Sequence, residues 1–240
     1  MDDVQFAASG NATDAFAKHP FFPLDVAISR YAPNSISGPV LVGYFAVGCS
    51  FIFLTTLLLI QRSRSNLSRG DTLATLWFAL CGCIHSFFEG YFALNFLDMA
   101  SQMDLFGQLW KEYSLSDSRY MTQDSFVVCM ETMTAVLWGP LSFLCAYYIV
   151  TGHPLRHPLT IIISVGQIYG DILYYATCSF SSLIFKVVYC RPEDFYFWMY
   201  YVLCNAFWIV IPGTLTTQSI IACKRAFEHV QAASKDKKAL

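Results

Sequence analysis

Charge is what this sequence has least of. Only 13% of its 240 residues are Asp, Glu, Lys or Arg, against 55% hydrophobic, whereas soluble domains carry about 25% charged residues. The few charges cluster between long apolar runs and do not alternate along amphipathic faces. Short segments of alternating polarity are missing too, which excludes a transmembrane barrel. The chain has no nucleotide-binding glycine loop, no CxxC or zinc-type spacing, and no haem or iron ligand set. An oxidoreductase is therefore disfavoured, and neither a cofactor nor a metal is expected. No basic stripe points to nucleic acid, and a net charge of -2 decides nothing. Most of the nine cysteines, among them Cys49, Cys81, Cys83, Cys129, Cys145 and Cys204, fall inside apolar runs, where cysteine is an ordinary small hydrophobe. Only Cys178 and Cys190, which bracket the loop before the last run, are placed to pair.

What is present is apolar and long. A helix needs about 20 apolar residues to cross the hydrocarbon core. Five stretches reach or approach that length: Pro39–Ile60, Leu73–Leu97, Phe126–Val150, Leu159–Thr177 and Phe195–Ile221. Every backbone polar group in such a stretch must be satisfied internally, which selects helices. The expected fold is all-α, a polytopic membrane protein whose five transmembrane helices (residues 39–221) enclose an intramembrane cavity. A lumenal segment (1–38) precedes them and a cytosolic tail (222–240) follows. Met1–Ser9 contains Asp2 and Asp3 and no apolar core, so no cleavable signal is expected there and the first span serves as the insertion signal.

Orientation follows from the cationic residues of the connections. With the N-terminus lumenal, the cytosolic side holds Arg62, Arg64, Arg69, Arg156, Lys224, Arg225, Lys235, Lys237 and Lys238. The other side holds Lys18, Arg30, Lys111, Arg119, Lys186 and Arg191. Two features agree with this bias. Asn11-Ala12-Thr13 is a glycosylation sequon on the lumenal side. The ending Lys237-Lys238-Ala239-Leu240 resembles a dilysine retrieval signal, which gives an endoplasmic-reticulum address.

Against this apolar background the polar residues inside the spans stand out. A charge at mid-bilayer costs roughly 2.5–3.5 kcal/mol on insertion scales, so such residues mark function. The second span has His85 and Glu89, spaced i,i+4 and so stacked on one face. The third has Glu131 with Thr134 close by, the fourth Gln167 and Asp171, and the fifth Asn205 and Trp208. The first span contributes none, which puts it outside the other four. Gln167 and Asp171, flanked by Gly166 and Gly170, read as a close helix crossing joined by hydrogen bonds. Glu89 and Glu131 have no such structural reading. Taking a carboxyl or an imidazole out of water disfavours its charged form, which is how proteins obtain acids and bases matched to neutral pH. An acid, a base and an aromatic face in an apolar cavity suit a lipid-soluble substrate entering from the bilayer. Protonation of an olefin, stabilisation of the cation by Trp208 and loss of a different proton would migrate a double bond without redox chemistry.

Several longer motifs carry a resemblance. They are Trp110-Lys111-Glu112-Tyr113 with Asp117-Ser118-Arg119-Tyr120, Cys129-Met130-Glu131-Thr132 with Thr134-Ala135, and Leu137-Trp138-Gly139-Pro140-Leu141-Ser142. Ser164–Asp171 and Asn205-Ala206 with Trp208 complete the set. Together they resemble the emopamil-binding protein family, from about Gly38 to Gly213. The resemblance implies a five-helix endoplasmic-reticulum isomerase that moves the sterol B-ring double bond from the 8,9 to the 7,8 position. A proton adds at carbon 9, a cation forms at carbon 8, and a proton leaves carbon 7. It implies a catalytic set of His85, Glu89, Glu131, Thr134, Asn205 and Trp208, with Tyr113, Tyr120 and Met130 lining the same cavity. The His85–Glu89 pair is assigned to donation and Glu131 to removal, supported by Thr134 and Asn205; the sequence leaves the reverse assignment open. The loop Asp104–Asp124 is expected to lie against the membrane surface and cap the cavity. The implied partners are a sterol from the bilayer and cationic amphiphiles that mimic the cation, while self-association is left open. The competing reading is a non-catalytic binder of sterols and cationic amphiphiles, as in the related sigma-2 receptor. A proton-coupled transporter is disfavoured by the lack of inverted repeats.

Overall fold

The computed structural model describes residues 18–63 and 66–239, with side chains through residue 236. The sequon at Asn11 and the side chains of Lys237 and Lys238 lie outside the described residues. Five helices are long and apolar enough to cross a membrane: α1 (Gly38–Arg62), α2 (Arg69–Asn95), α4 (Ser125–Val150), α5 (Arg156–Phe185) and α6 (Tyr196–Asp236). A shorter helix, α3 (Leu105–Tyr113), lies in the connection between α2 and α4. The protein is a multi-pass, all-helical membrane protein.

The helix starts are set by short polar side chains. Ser68 accepts the Asp71 amide at the start of α2, Asp104 accepts the Phe106 and Gly107 amides at α3, and Asp124 accepts the Val127 amide at α4. Each satisfies amides that the first helical turn leaves free. α6 runs on past Ile221 to Ala239, so residues 222–239 continue the last helix. Their composition explains this: Ala, Lys, Arg, Glu and Gln favour helix, and Lys224 pairs with Glu228 at i,i+4. α1 packs on α2 and α3 and buries only Leu41 and Ile60 along its length, which is the peripheral place expected for it.

The α2–α4 connection folds inward, with Gly107–Lys111 and Ser114–Met121 buried. The reason is aromatic. Trp110 stacks on Phe88 of α2 with centroids 4.5 Å apart and donates its indole N–H to the Phe88 carbonyl at 3.0 Å. It also packs on Phe92 and Tyr120, and Tyr120 and Tyr201 reach Tyr174 of α5. Each such ring buries on the order of 150–250 Å², far more than a surface loop gains by staying wet. The polar atoms carried inward are matched. The Lys111 ammonium donates to the Ala32 carbonyl at 2.7 Å. Arg119 Nε and Nη2 grip the Asp117 carboxylate at 3.0 and 2.6 Å, while Nη1 donates to Thr177 of α5 at 2.8 Å. The guanidinium also lies over the Tyr174 ring. Burial opposes its charge, but Asp117 holds the Arg119 pKa above its ordinary value.

Cys178 and Cys190 are both free thiols, against the pairing expected from their positions. Cys178 is packed against the aromatic cluster that holds Tyr174 and Tyr201.

The buried Asp117–Arg119 pair generates a stability test. Arg119→Met leaves a buried carboxylate uncompensated and is expected to destabilise the protein by about 3–5 kcal/mol. Adding Asp117→Leu removes the orphaned charge and should recover a large part of that loss. Thermal unfolding in detergent measures both; equal stability of Arg119→Met and wild type would contradict the assignment.

Candidate functional site

The backbone changes pitch where the polar residues sit. α2 is π-wound over Ile84–Glu89, α4 over Thr134–Trp138, and α6 over Tyr196–Cys204, ending against Asn205. Wide turns of this kind rotate side chains out of the α-helical phase and concentrate at functional sites. The wide turns of α2 and α4 pack directly on each other. Gly139 makes that approach feasible: a Cβ there would collide with Ser86 Oγ and lie 3.0 Å from the Ser86 backbone nitrogen.

On α2, His85 Nδ1 and Glu89 Oε2 are 2.6 Å apart, both groups being buried. His85 Nε2 lies 3.1 Å from the amide nitrogen of Gln167 on α5. That amide can only donate, so Nε2 accepts and the ring proton sits on Nδ1, aimed at Glu89. The Trp208 ring of α6 lies 4.9 Å from the imidazole, centroid to centroid, and 5.0 Å from Trp77. Three helices thus meet at one histidine.

On α4, Glu131 is buried and accepts a hydrogen bond from the Tyr120 hydroxyl at 2.9 Å. Thr134 turns its hydroxyl to the Glu131 backbone carbonyl at 2.8 Å. Asn205 donates to the Tyr201 carbonyl at 2.7 Å and to the Tyr113 hydroxyl at 3.4 Å. Met130 packs against the aromatic cluster that holds Tyr113 and Tyr120. The sequence-derived residues therefore form two groups: His85, Glu89 and Trp208 around the imidazole, and Glu131, Tyr120, Tyr113 and Asn205 on the aromatic side. The side chain in hydrogen-bond contact with the Glu131 carboxylate is Tyr120, not Thr134 or Asn205.

Gln167 does bond across helices, as expected, and its partner is His85. Asp171 does not join helices as expected: its Oδ2 is buried without a hydrogen-bond partner among the described residues. The close approach in this segment is at Gly166, where a Cβ would collide with the Trp138 indole, whereas Gly170 faces open space. Two surface clefts, of about 400 and 160 Å³, are lined by none of the predicted site residues. No group of three or more His, Cys, Asp or Glu side chains able to hold a metal occurs among the described residues.

The α2–α4 contact yields a direct test. Gly139→Ala should cost about 1–3 kcal/mol through overpacking against Ser86, read as a lower unfolding temperature. An unchanged temperature would mean that the two wide turns do not depend on this contact.

Comparison with known proteins adds what geometry alone does not. Residues 105–219 match the family described as EXPERA (EXPanded EBP superfamily). The chain is 40% identical over 209 residues to the 3-beta-hydroxysteroid-Delta(8),Delta(7)-isomerase of Mus musculus, covering 87% of this chain and 90% of that one. The rat enzyme of the same name is 39% identical over the same shares. A probable enzyme of that name from Oryza sativa subsp. japonica is 34% identical over 90% of this chain and 97% of its own. Identity at this level over nearly the whole length of both chains means that the protein belongs to the emopamil-binding protein family of isomerases.

Proposed function

We propose that the chain is a sterol isomerase that moves a B-ring double bond from the 8,9 to the 7,8 position. The observation that carries this reading is the pair of buried carboxylates, Glu89 with His85 on α2 and Glu131 with Tyr120 on α4. Supporting it, the relatives named above are isomerases of 3-beta-hydroxysteroids.

The reaction needs one proton in and one proton out. The His85–Glu89 pair delivers a proton to carbon 9 of the 8,9 olefin, and the π electrons form the new C–H bond. The positive charge is left at carbon 8, a tertiary centre. The face of Trp208 beside His85 stabilises it, a contribution of about 2 kcal/mol for a desolvated cation–π contact. Glu131 then takes a proton from carbon 7, and those C–H electrons become the 7,8 double bond. No electrons leave the system and no cofactor is required. Gln167 holds the imidazole in the tautomer that serves Glu89. Tyr120 orients Glu131, Thr134 fixes the backbone beneath it, and Asn205 with Tyr113 and Met130 shapes the aromatic side. A protonated amine on an apolar frame would occupy the place of the cation, so cationic amphiphiles should compete with substrate. The distribution of cations among the connections supports an orientation with the N-terminus lumenal.

The test is expression in cells that lack a sterol Δ8-Δ7 isomerase, with sterols profiled by mass spectrometry. Loss of 8-ene sterols in favour of 7-ene sterols is expected. Persistent 8-ene sterols despite correctly inserted protein would refute the reading and leave a sterol binder as the account. Glu89→Gln and Glu131→Gln should each lower turnover by ~10²-fold or more, as removal of a positioned acid or base does. Tyr120→Phe loses one hydrogen bond to a charged group, about 1.5–3 kcal/mol, and should slow turnover less than either. Full activity in either glutamine variant would overturn the acid–base roles.

A further inference from the structure

The face that α5 turns into the bundle is polar. Its buried residues are Thr160, Ile163, Ser164, Gln167, Asp171 and Tyr174, and all but Ile163 carry an oxygen or nitrogen in the side chain. Together with His157 they recur every three or four residues, which keeps them on one side of the helix. Polar side chains of membrane helices face the bundle interior, and there they need partners. Several of these atoms are also unspent: Ser164 Oγ and Gln167 Oε1, and Ser142 Oγ of α4, are fully enclosed with no hydrogen-bond partner among the described residues. Ser142 and Ser164 are 0% exposed. Between them and the helix end, Thr160 Oγ1 donates to the Arg156 carbonyl at 2.8 Å and meets Cys145 Sγ at 3.3 Å.

The part of this stripe from His157 to Gln167 joins two defined places. One is Gln167, bonded to His85. The other is a cleft of about 160 Å³ at the face that carries the α1–α2 connection, lined in part by Asp71, Arg156, His157, Thr160 and Ser219. There the His157 ring bonds Ser219 at 3.2 Å and accepts from Arg156 Nε at 3.2 Å, and Arg156 pairs with Asp71. From His157 to Gln167 is ten residues, about 15 Å at the α-helical rise.

We propose that this stripe is a proton path from the aqueous cleft to the His85–Glu89 pair. The inference rests on the acid–base reading above, which leaves the pair one proton short after each turnover. Enclosed polar atoms that no protein group reaches are ordinarily satisfied by ordered water, and leaving each one dry costs about 1–3 kcal/mol. Hydroxyl groups both donate and accept, so Thr160, Ser164 and Ser142 with bridging waters can pass a proton toward Gln167 and His85. One proton enters by this route in each cycle. Glu131 releases the one taken from carbon 7 to water when product leaves, so the sum over a cycle is zero.

The path acts on refilling the acid and not on the chemical step, which separates it from a structural role. The full-length protein in detergent is given an 8-ene sterol under two regimes: enzyme in excess, where the preloaded acid suffices, and substrate in excess, where it must be refilled. Thr160→Val and Ser164→Ala should leave the single-turnover rate as in wild type. Both should lower the steady-state rate by about tenfold or more, a small part of the ~10²–10⁴-fold that positioned proton transfer contributes. Thr160→Ser, which keeps the hydroxyl, should restore it. Unchanged steady-state rates in both variants would overturn the path. Parallel loss of both rates would also overturn it, by showing a packing effect on the site. Failure of wild type to isomerise under either regime would instead refute the acid–base reading, and the path with it.

Discussion

A bilayer interior offers a polar side chain nothing to bond except other parts of the same protein. That constraint organises this structure more than any single contact. His85, Glu89, Gln167 and Trp208 come from three helices, and each is held by another member of the group. Removing a member leaves a buried polar atom without a partner, which is where the free-energy cost concentrates. The wide turns in α2, α4 and α6 serve the same need. They give up regular α-helical bonding where the side chains must turn toward one another.

The connection between α2 and α4 does the complementary work. By folding inward it brings Tyr113 and Tyr120 to the side of the bundle occupied by Asn205 and Glu131. It is kept there by the stacked Trp110 and by the closed Asp117–Arg119–Thr177 group. One group thus stands wholly on membrane helices, while the other joins Glu131 and Asn205 of such helices to Tyr113 and Tyr120 of the connection. A carboxylate held against a histidine and one held against a tyrosine meet different surroundings, and such a difference lets one act as acid and the other as base.

The fold was largely legible because its determinants are local. Long apolar runs with few charges specify membrane helices whatever surrounds them, and α1 could be placed outside because it carries no polar cluster. His85 with Glu89 was legible for a similar reason, since i,i+4 spacing joins them on one helix. What was missed depends on neighbours distant in sequence. Gln167 lies 82 positions from His85, and no periodicity within α5 says which helix its amide will meet. Gly166 and Gly170 look alike in sequence, yet one receives an indole and the other meets open space. The inward fold of residues 104–124 was hidden by its charges: Lys111, Asp117 and Arg119 suggest a wet surface until their partners are seen. The sterol itself came from family resemblance and not from the residues' chemistry.

The central claim is that a proton is added at one carbon and a different one is removed at another. Isomerising an 8-ene sterol with the full-length protein in heavy water, then locating the label by mass spectrometry and NMR, tests it most directly. The account predicts a 7-ene product with a single deuterium, bonded to carbon 9, and no such product from Glu89→Gln. An unlabelled 7-ene product, or deuterium at carbon 7 in place of carbon 9, would contradict it.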